Sequence, residues 1–261
     1  MIKPALHIII LALLFWMGCA TSPLTRYADF PEKKKQIAST FILSDFVLLE
    51  PVAEDTNKIN VPESKQYAKT SNDYFSGRLN EKNYHVEKSL VTSVGLLLDP
   101  KAKNKVVGSI DDEEAGIGIL PYELPPYYLH EVFKRDTILV QLLKIVYSSL
   151  AGYEKNSSDV GRKIPAATYL GKALGSDMLA FVFAVGYDAP VSYRLGVQHV
   201  IPDIRLSKLL YEPVTQFTIM FYLVDSKEGE VVWDDKVVLK GGTVNKEKLE
   251  TIINKIVSEL P

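Results

Sequence analysis

The sequence predicts an α/β domain built on a mixed β-sheet of about five strands, with helices on its faces and two irregular insertions. The first observation is periodicity: short apolar runs of strand length alternate with segments whose apolar residues recur at helical spacing. The second is order, because strand, helix, strand, two helices, strand, strand pair and helix follow one another over residues 39–261. The third is composition: 47% of the 261 residues are hydrophobic, which suits a single domain with its own core.

Each element has its own signal in the sequence. The first strand is an apolar run that Pro51 ends, and Ser64 opens a helix whose apolar residues share one face. Pro165 suits the first turn of a later helix, and Gly229 suits a hairpin turn because glycine accepts positive φ. The predicted bounds are strand 41–50, helix 64–84, strand 85–98, helix 131–150, helix 165–174, strand 178–185, strands 215–224 and 230–239, and an amphipathic helix over 249–260.

Two stretches, near residues 99–130 and 187–212, lack this periodicity and are predicted as irregular insertions. The first contains a segment in which tyrosines alternate with prolines, giving large amphipathic side chains on a stiffened backbone. Such aromatic residues are enriched at protein interfaces. The alternative is that they pack onto their own domain and cover an edge of the sheet. The candidate interface residues are Tyr122, Pro125, Pro126, Tyr127 and Tyr128.

The N-terminus has the three parts of a secretory signal peptide. Lys3 supplies a positive charge, residues 8–17 are apolar, and Gly18 precedes Cys19, the only cysteine. The apolar run is too short to span a bilayer as a helix, which needs about 20 residues. A cleaved signal with a chance cysteine and a short uncleaved anchor are the alternatives. Gly before Cys after such a run resembles the lipobox of bacterial lipoproteins.

The lipobox resemblance implies how the chain is processed and where it resides. Residues 1–18 are then the signal peptide, cut between Gly18 and Cys19, and residues 19–38 are an anchor and flexible tether. The Cys19 sulfur carries diacylglycerol and its new amine an acyl chain, so the protein is held at a membrane by several chains. Ala20 and Thr21 follow the cysteine in place of aspartate. In this family, that context implies the periplasmic face of the outer membrane.

Two stretches carry a second resemblance. They are A-L-G-S-D-M-L-A-F-V-F-A-V-G from Ala173 to Gly186, and F-Y-L-V-D-S-K-E-G-E-V-V-W from Phe221 to Trp233. Together with the closing helix they resemble a group of periplasmic α/β domains. The group includes the curli-secretion lipoprotein, the Pel-polysaccharide export lipoprotein and the N-terminal domain of the TolB family. The resemblance covers about residues 40–260 and implies a fold of the anticodon-binding or TolB N-terminal type, serving as a non-catalytic scaffold.

The residues offer little that is typical of an enzyme, a metalloprotein or a nucleic-acid binder. There is no G-x-S-x-G motif, and lipidation consumes the only thiol. His85, His130 and His199 share no metal-binding spacing, and the acidic run 111–114 lacks the spacing of a calcium loop. The net charge is −2 without a basic stripe. We therefore expect no enzyme, no bound metal, no cofactor beyond the covalent lipid, and no nucleic-acid partner.

Two hypotheses for function follow. In the first, the chain is a lipid-anchored, non-enzymatic envelope protein, a scaffold or an assembly or export accessory factor. It would contact the membrane through its lipid, and other envelope proteins or copies of itself through its folded surface. In the second, it is a lipid-anchored hydrolase or small-ligand binder of envelope components, with a cleft between the two insertions. A concave pocket with convergent histidine and carboxylate groups would favour the second hypothesis.

Overall fold

A computed structural model describes residues 30–53, 56–96, 105–109, 126–151, 161–187, 216–240 and 245–261. These residues form the mixed α/β fold that the sequence predicts, although their strands number eight instead of about five. The elements in chain order are α1 (Phe30–Lys34), β1 (Thr40–Ala53), β2 (Thr56–Asn60), α2 (Val61–Glu81), β3 (Val86–Val94), β4 (Lys105–Ser109), β5 (Tyr128–Leu129), α3 (Glu131–Lys134), α4 (Thr137–Ala151), α5 (Pro165–Leu174), β6 (Met178–Tyr187), β7 (Gln216–Asp225), β8 (Glu230–Lys240) and α6 (Lys246–Ser258).

Strand β1 is the centre of the sheet. β6 runs parallel to it on one side, from the pair Thr40–Met178 to the pair Leu49–Tyr187. On the other side, β3 runs parallel to the first half of β1, and β2 runs antiparallel to its last residues. β7 and β8 extend the sheet as an antiparallel pair, and β4 lies outside β2. The sheet is therefore mixed, with β8 at one edge and β3, β5 and β4 at the other.

Helices cover both faces of the sheet because alternate strand residues point to opposite sides. In β6, Ala180 and Val182 pack in one apolar cluster with α1, α2 and α6, whereas Phe181 and Phe183 pack in another with α4 and α5. The ring of Phe75 from α2 stacks on Phe221 of β7 with centroids 4.9 Å apart. The domain thus has three layers, with its core on both sides of the sheet.

The strands that the sequence did not predict are short or polar. β2 reads T-N-K-I-N, and only Ile59 among its described side chains is buried. β4 and β5 lie inside residues 99–130, which are therefore less irregular than predicted. Each of these strands is held by main-chain pairing and is too short or too polar to show apolar periodicity in the sequence. Of the second predicted insertion, residues 188–212 lie outside the described part.

Two helix boundaries differ from the predictions because of side-chain caps. α2 begins at Val61, before Ser64, since the Asn60 side chain accepts a hydrogen bond from the Glu63 amide at 3.0 Å. The single helix predicted over 131–150 is instead α3 and α4. The break lies at Asp136, whose carboxylate accepts hydrogen bonds from the Ile138 and Leu139 amides at 2.9 and 3.1 Å. Asp136 therefore starts a new helix.

Part of the segment predicted as a tether, residues 30–38, is packed on the domain. Phe30 of α1 is fully buried, and its ring stacks on that of Tyr84 with centroids 6.3 Å apart. Ile37 is buried in the same cluster, and Lys33 bonds Glu230 at 3.1 Å. Residues 30–38 thus belong to the folded domain. Among the described residues, no helix has the length and apolar character required to cross a bilayer.

Candidate functional site

The structure describes three of the predicted interface residues and places them at the edge of the sheet. Tyr127 and Tyr128 are half-buried against Val47, Ile59 and Val94. The Tyr127 amide donates to the Val94 carbonyl at 2.9 Å, and Tyr128 pairs with Val94 across the β3–β5 ladder. Part of the proline–tyrosine segment therefore packs on its own sheet edge, while the exposed part of Tyr128 lines a cavity. Pro126 is half-buried beside them, and Gly18, Cys19, Tyr122 and Pro125 lie outside the described residues.

The cavity lies between helix α2 and the edge of strand β3, and we call it the α2–β3 groove. Its volume is about 470 Å³. α2 contributes side chains between Lys65 and Asp73, β3 contributes the three residues from Ser89 to Val91, and Tyr128 and His130 complete the lining. A space of this size falls in the range of small-molecule and peptide-side-chain pockets.

Charged side chains of α2 form a line along the α2–β3 groove. Lys65, Lys69 and Asp73 are exposed and lie at i, i+4 and i+8, so they share one helix face. The Lys65 ammonium stands 4.4 Å from the centroid of the Tyr128 ring, where the negative face of the ring attracts it. This contact places Lys65 at one end of the α2–β3 groove, the end next to β5. The line reads positive, positive, negative along the helix.

Asn72 is the buried polar residue of the α2–β3 groove. It is 2% exposed, and its Oδ1 atom has no hydrogen-bond partner among the described residues. A buried polar atom without a partner costs free energy, about 1–3 kcal/mol, so such atoms are uncommon in folded proteins. Because Asn72 lines the cavity, a molecule in the groove is the natural source of the missing hydrogen bond.

The outer side of β3 lies open along the α2–β3 groove. Leu90 packs with the apolar cluster on one face of the sheet and Val91 with the cluster on the other, yet both line the cavity. The cavity therefore reaches the backbone edge of the strand. β5 pairs with Ser93 and Val94. From Val86 to Val91, no strand of the described part of the chain pairs with this outer side.

His130 connects the α2–β3 groove to α3. Its Nδ1 accepts a hydrogen bond from the Val132 amide at 3.3 Å, and its own amide donates to the Thr92 carbonyl at 2.8 Å. Within the described ranges, no three histidine, cysteine, aspartate or glutamate side chains are grouped as a metal site.

The second hypothesis for function remains a prediction. It requires a cleft between the two insertions. The α2–β3 groove receives Tyr128 and His130 from the end of the first insertion, but residues 188–212 lie outside the described part. The groove does hold one histidine and one carboxylate, and Lys65 and Lys69 give it two cationic hydrogen-bond donors against the single carboxylate of Asp73. Two cations suit a ligand that carries carboxylate groups.

A second surface feature is the outward apolar face of α4, formed by Ile138, Leu142 and Ile145. These residues lie at i, i+4 and i+7 on one side of the helix. Leu142 also packs partly against the core cluster that α4 covers, so Ile138 and Ile145 are the exposed members of this face. Ile138 is 70% exposed, Ile145 is 52% exposed and Leu142 is half-buried. Tyr169 of the neighbouring α5 is also exposed, at 65%. Large apolar side chains exposed together mark interaction surfaces more often than isolated ones do.

Comparisons with known proteins give structural neighbours only. No family model matches the chain, and no curated protein matches its sequence. It is similar to lipoprotein GNA1162 from Neisseria meningitidis, with 13% identity and a TM-score of 0.34 over 85% of this chain and 97% of that one. A PelC variant from Paraburkholderia phytofirmans, a dodecamer, gives 8% identity and a TM-score of 0.34 over 85% and 87%. No family membership follows from similarity this low.

A third solved structure is similar at a still lower level. The C-terminal domain of LpoB from Salmonella enterica shares 11% identity, with a TM-score of 0.20 over 84% of this chain and 98% of that one. Similarities at this level assign no residue of this chain to a function.

The sequence indicates the Tyr128 side of the α2–β3 groove as a candidate contact site, but it does not indicate the α2 side. Tyr128 was predicted as part of an interface, whereas Lys65, Lys69 and Asn72 were not singled out. These α2 residues resemble any solvated helix face until β3 is placed beside them. The signal present in the sequence was the i, i+4, i+8 series of Lys65, Lys69 and Asp73 on a helix that precedes an edge strand.

Proposed function

We propose that the mature protein is a lipid-anchored, non-enzymatic envelope protein, acting as a scaffold or as an assembly or export accessory factor through protein–protein contacts. Its location is the periplasmic face of the outer membrane, and its anchor is the lipid on Cys19. The observation that carries the proposal is the outward apolar face of α4. A face of this kind on a folded domain gains free energy when another protein covers it.

The energetics favour a covered α4. Removing apolar surface from water contributes about 25 cal/mol per Å², so burying a side chain such as Ile138 fully contributes about 1.5–3 kcal/mol. Gln141, Lys144 and Ser148 are exposed on the flank of the apolar face. An apolar centre with a polar border is the usual composition of a protein interface.

The placement of α4 favours a protein partner over the lipid surface. α1, the first described element after the anchor, packs on the face of the sheet that α2 and α6 cover. α4 packs on the opposite face with α5. The outward apolar face of α4 therefore lies across the sheet from the segment that leads to the membrane, where it is available to other envelope proteins or to a second copy.

Site-specific photo-cross-linking in intact cells tests the proposal. A photoreactive amino acid is placed at Ile138 of the full-length lipoprotein, with a matched variant at Glu247, an exposed position on α6. We expect the Ile138 variant to cross-link to itself or to another envelope protein, and the Glu247 variant not to do so. Cross-links from Ile138 to lipid alone, or a monomeric protein without cross-links at either position, would contradict the proposal.

A further inference from the structure

The geometry of the α2–β3 groove points to a partner of defined chemistry. We propose that the groove takes up an extended segment of a protein partner as an added β-strand. Carboxylate side chains of that segment face Lys65 and Lys69, and a cationic side chain faces Asp73. The inference deepens the proposed function and rests on it, because it names a contact site and the kind of peptide bound there.

The backbone of β3 supplies the main contacts. The Val86 amide donates to Asn80 Oδ1 at 2.7 Å, and beyond it the outer side from Glu87 to Val91 carries no strand in the described part of the chain. Ser89, Leu90 and Val91 line the α2–β3 groove. Unpaired amide and carbonyl groups on an edge strand are a template for a further strand. Strand addition of this kind gains affinity from main-chain hydrogen bonds and specificity from alternate side chains.

The line of charges on α2 has the spacing of an extended peptide. Residues four apart on a helix are separated by about 6 Å along its axis, because the rise is about 1.5 Å per residue. Alternate residues of a strand are separated by about 6.6–6.8 Å. Lys65, Lys69 and Asp73 therefore face successive side chains on one side of an added strand. The complementary series is acidic, acidic, basic.

Asn72 and Tyr128 add features of a built site. The Oδ1 atom of Asn72, buried and without a partner among the described residues, gains a donor when an extended peptide lies in the α2–β3 groove. The face of the Tyr128 ring attracts the Lys65 ammonium and so orients it. β5 pairs with Ser93 and Val94 of β3. An added strand must therefore end beside β5, which fixes its position along β3.

Peptide binding to the full-length lipoprotein in detergent micelles tests the charge pattern. The probe is a short fluorescent peptide that alternates threonine with the series glutamate, glutamate, lysine, and the control probe carries lysine, lysine, glutamate. By fluorescence anisotropy, we expect the first probe to bind about tenfold more tightly than the second. Equal affinity of the two probes would overturn the inference.

Charge reversal in the protein gives a stricter test. We expect Lys65→Glu with Lys69→Glu to weaken the first probe about tenfold, and adding Asp73→Lys to transfer the preference to the control probe. The matched control is Lys172→Glu with Lys246→Glu, two exposed lysines outside the α2–β3 groove and away from α4, with the same change in net charge. A control variant that loses binding equally would show attraction by net charge alone and would overturn the inference.

The main-chain contacts are tested on the peptide, so that the protein stays unchanged. Two peptides are compared, one methylated at the odd-numbered and one at the even-numbered backbone nitrogens. Only one of these sets of N–H groups faces β3 in an added strand, and we expect the peptide that lacks this set to lose binding. Amide hydrogen exchange should slow, when the unmodified probe binds, at those amides of Glu87–Val91 that point away from β1. Undiminished binding of both methylated peptides, or amides equally protected without probe, would overturn strand addition. Cross-linking at Ile138 is independent of all these outcomes, so failure of the groove and failure of the proposed function are distinguishable.

Discussion

At the scale of single residues, the hairpin between β7 and β8 depends on a glycine. Gly229 has φ of 63°, and a Cβ there would lie 2.7 Å from the Ile164 carbonyl oxygen and 2.8 Å from Thr168 Oγ1. We expect Gly229→Ala to lower the free energy of unfolding by about 2 kcal/mol or more, measured by urea denaturation. Gly77→Ala is the matched control. Gly77 lies in α2 with open space around it, so alanine there should raise stability by up to about 1 kcal/mol.

Asp177 joins the segment after α1 to the start of β6. Its carboxylate accepts a hydrogen bond from the Ala38 amide at 3.0 Å and pairs with Lys227 at 3.0 Å. Partial burial alone raises the pKa of Asp177, but the Ala38 amide and Lys227 outweigh it, so the pKa lies below its ordinary 3.8. The charged form is thus favoured in the folded state, and its stabilisation is lost as pH falls through the folded-state pKa.

This linkage gives a prediction for pH dependence. At pH 7, Asp177→Asn should lower the free energy of unfolding by about 1 kcal/mol, because the pair with Lys227 is lost. Below pH 3.8, the difference between the two proteins should shrink as the wild-type carboxylate becomes protonated. Urea denaturation at several pH values measures it. A difference that stays constant from pH 7 to pH 3 would show that the charge of Asp177 is irrelevant.

At the scale of elements, the break between α3 and α4 depends on a cap. Asp136 accepts hydrogen bonds from the first amides of α4. We expect Asp136→Ala to lower the free energy of unfolding by about 1 kcal/mol, and Asp136→Asn by much less, because asparagine caps helices equally well. Thermal unfolding followed by circular dichroism compares the two variants. Equal losses would mean that the negative charge, and not the cap, stabilises α4.

The elements also show what a sequence alone can predict. α5 was predicted with its observed bounds, because Pro165 and Gly175 mark its ends and apolar periodicity fills it. β2 and β4 were not, since they are held by pairing and carry no apolar alternation. The α2–β3 groove likewise contains one residue that the sequence points to and others that it does not. Tyr128 stood out as an aromatic residue among prolines, whereas Lys65 and Asn72 acquire significance only when the fold places an edge strand beside α2.

At the scale of the whole molecule, the two candidate contact surfaces are separate. The α2–β3 groove lies beside the helix that packs with α1 and α6, and the outward apolar face of α4 lies across the sheet. No described residue belongs to both surfaces. One protein molecule can therefore contact an extended peptide and a second apolar surface at the same time, which is what a scaffold in an assembly requires.

The proposed lipid anchor on Cys19 would limit where these contacts occur. Residues 20–29 lie between Cys19 and Phe30, and ten residues reach at most about 33–36 Å when fully extended. A domain of this size has a radius of gyration of about 17 Å. Lipidation of Cys19 would thus confine the folded part to a layer next to the membrane and raise its concentration relative to other membrane-bound proteins. Confinement of this kind increases binding without any new contact.

Release from the membrane should therefore weaken partner contact while the fold stays intact. An ordinary cleavable signal peptide in place of residues 1–18, combined with Cys19→Ala, should yield a soluble periplasmic protein. We expect cross-links from Ile138 to fall about tenfold in such cells, since tethering raises avidity by large factors. A glycine–serine replacement of residues 20–29 at the same length, with Cys19 kept, should leave the cross-links unchanged because the tether acts through its length. Mass spectrometry of the wild-type N-terminus supplies the control for lipidation, and an unmodified thiol at Cys19 would contradict the anchor itself.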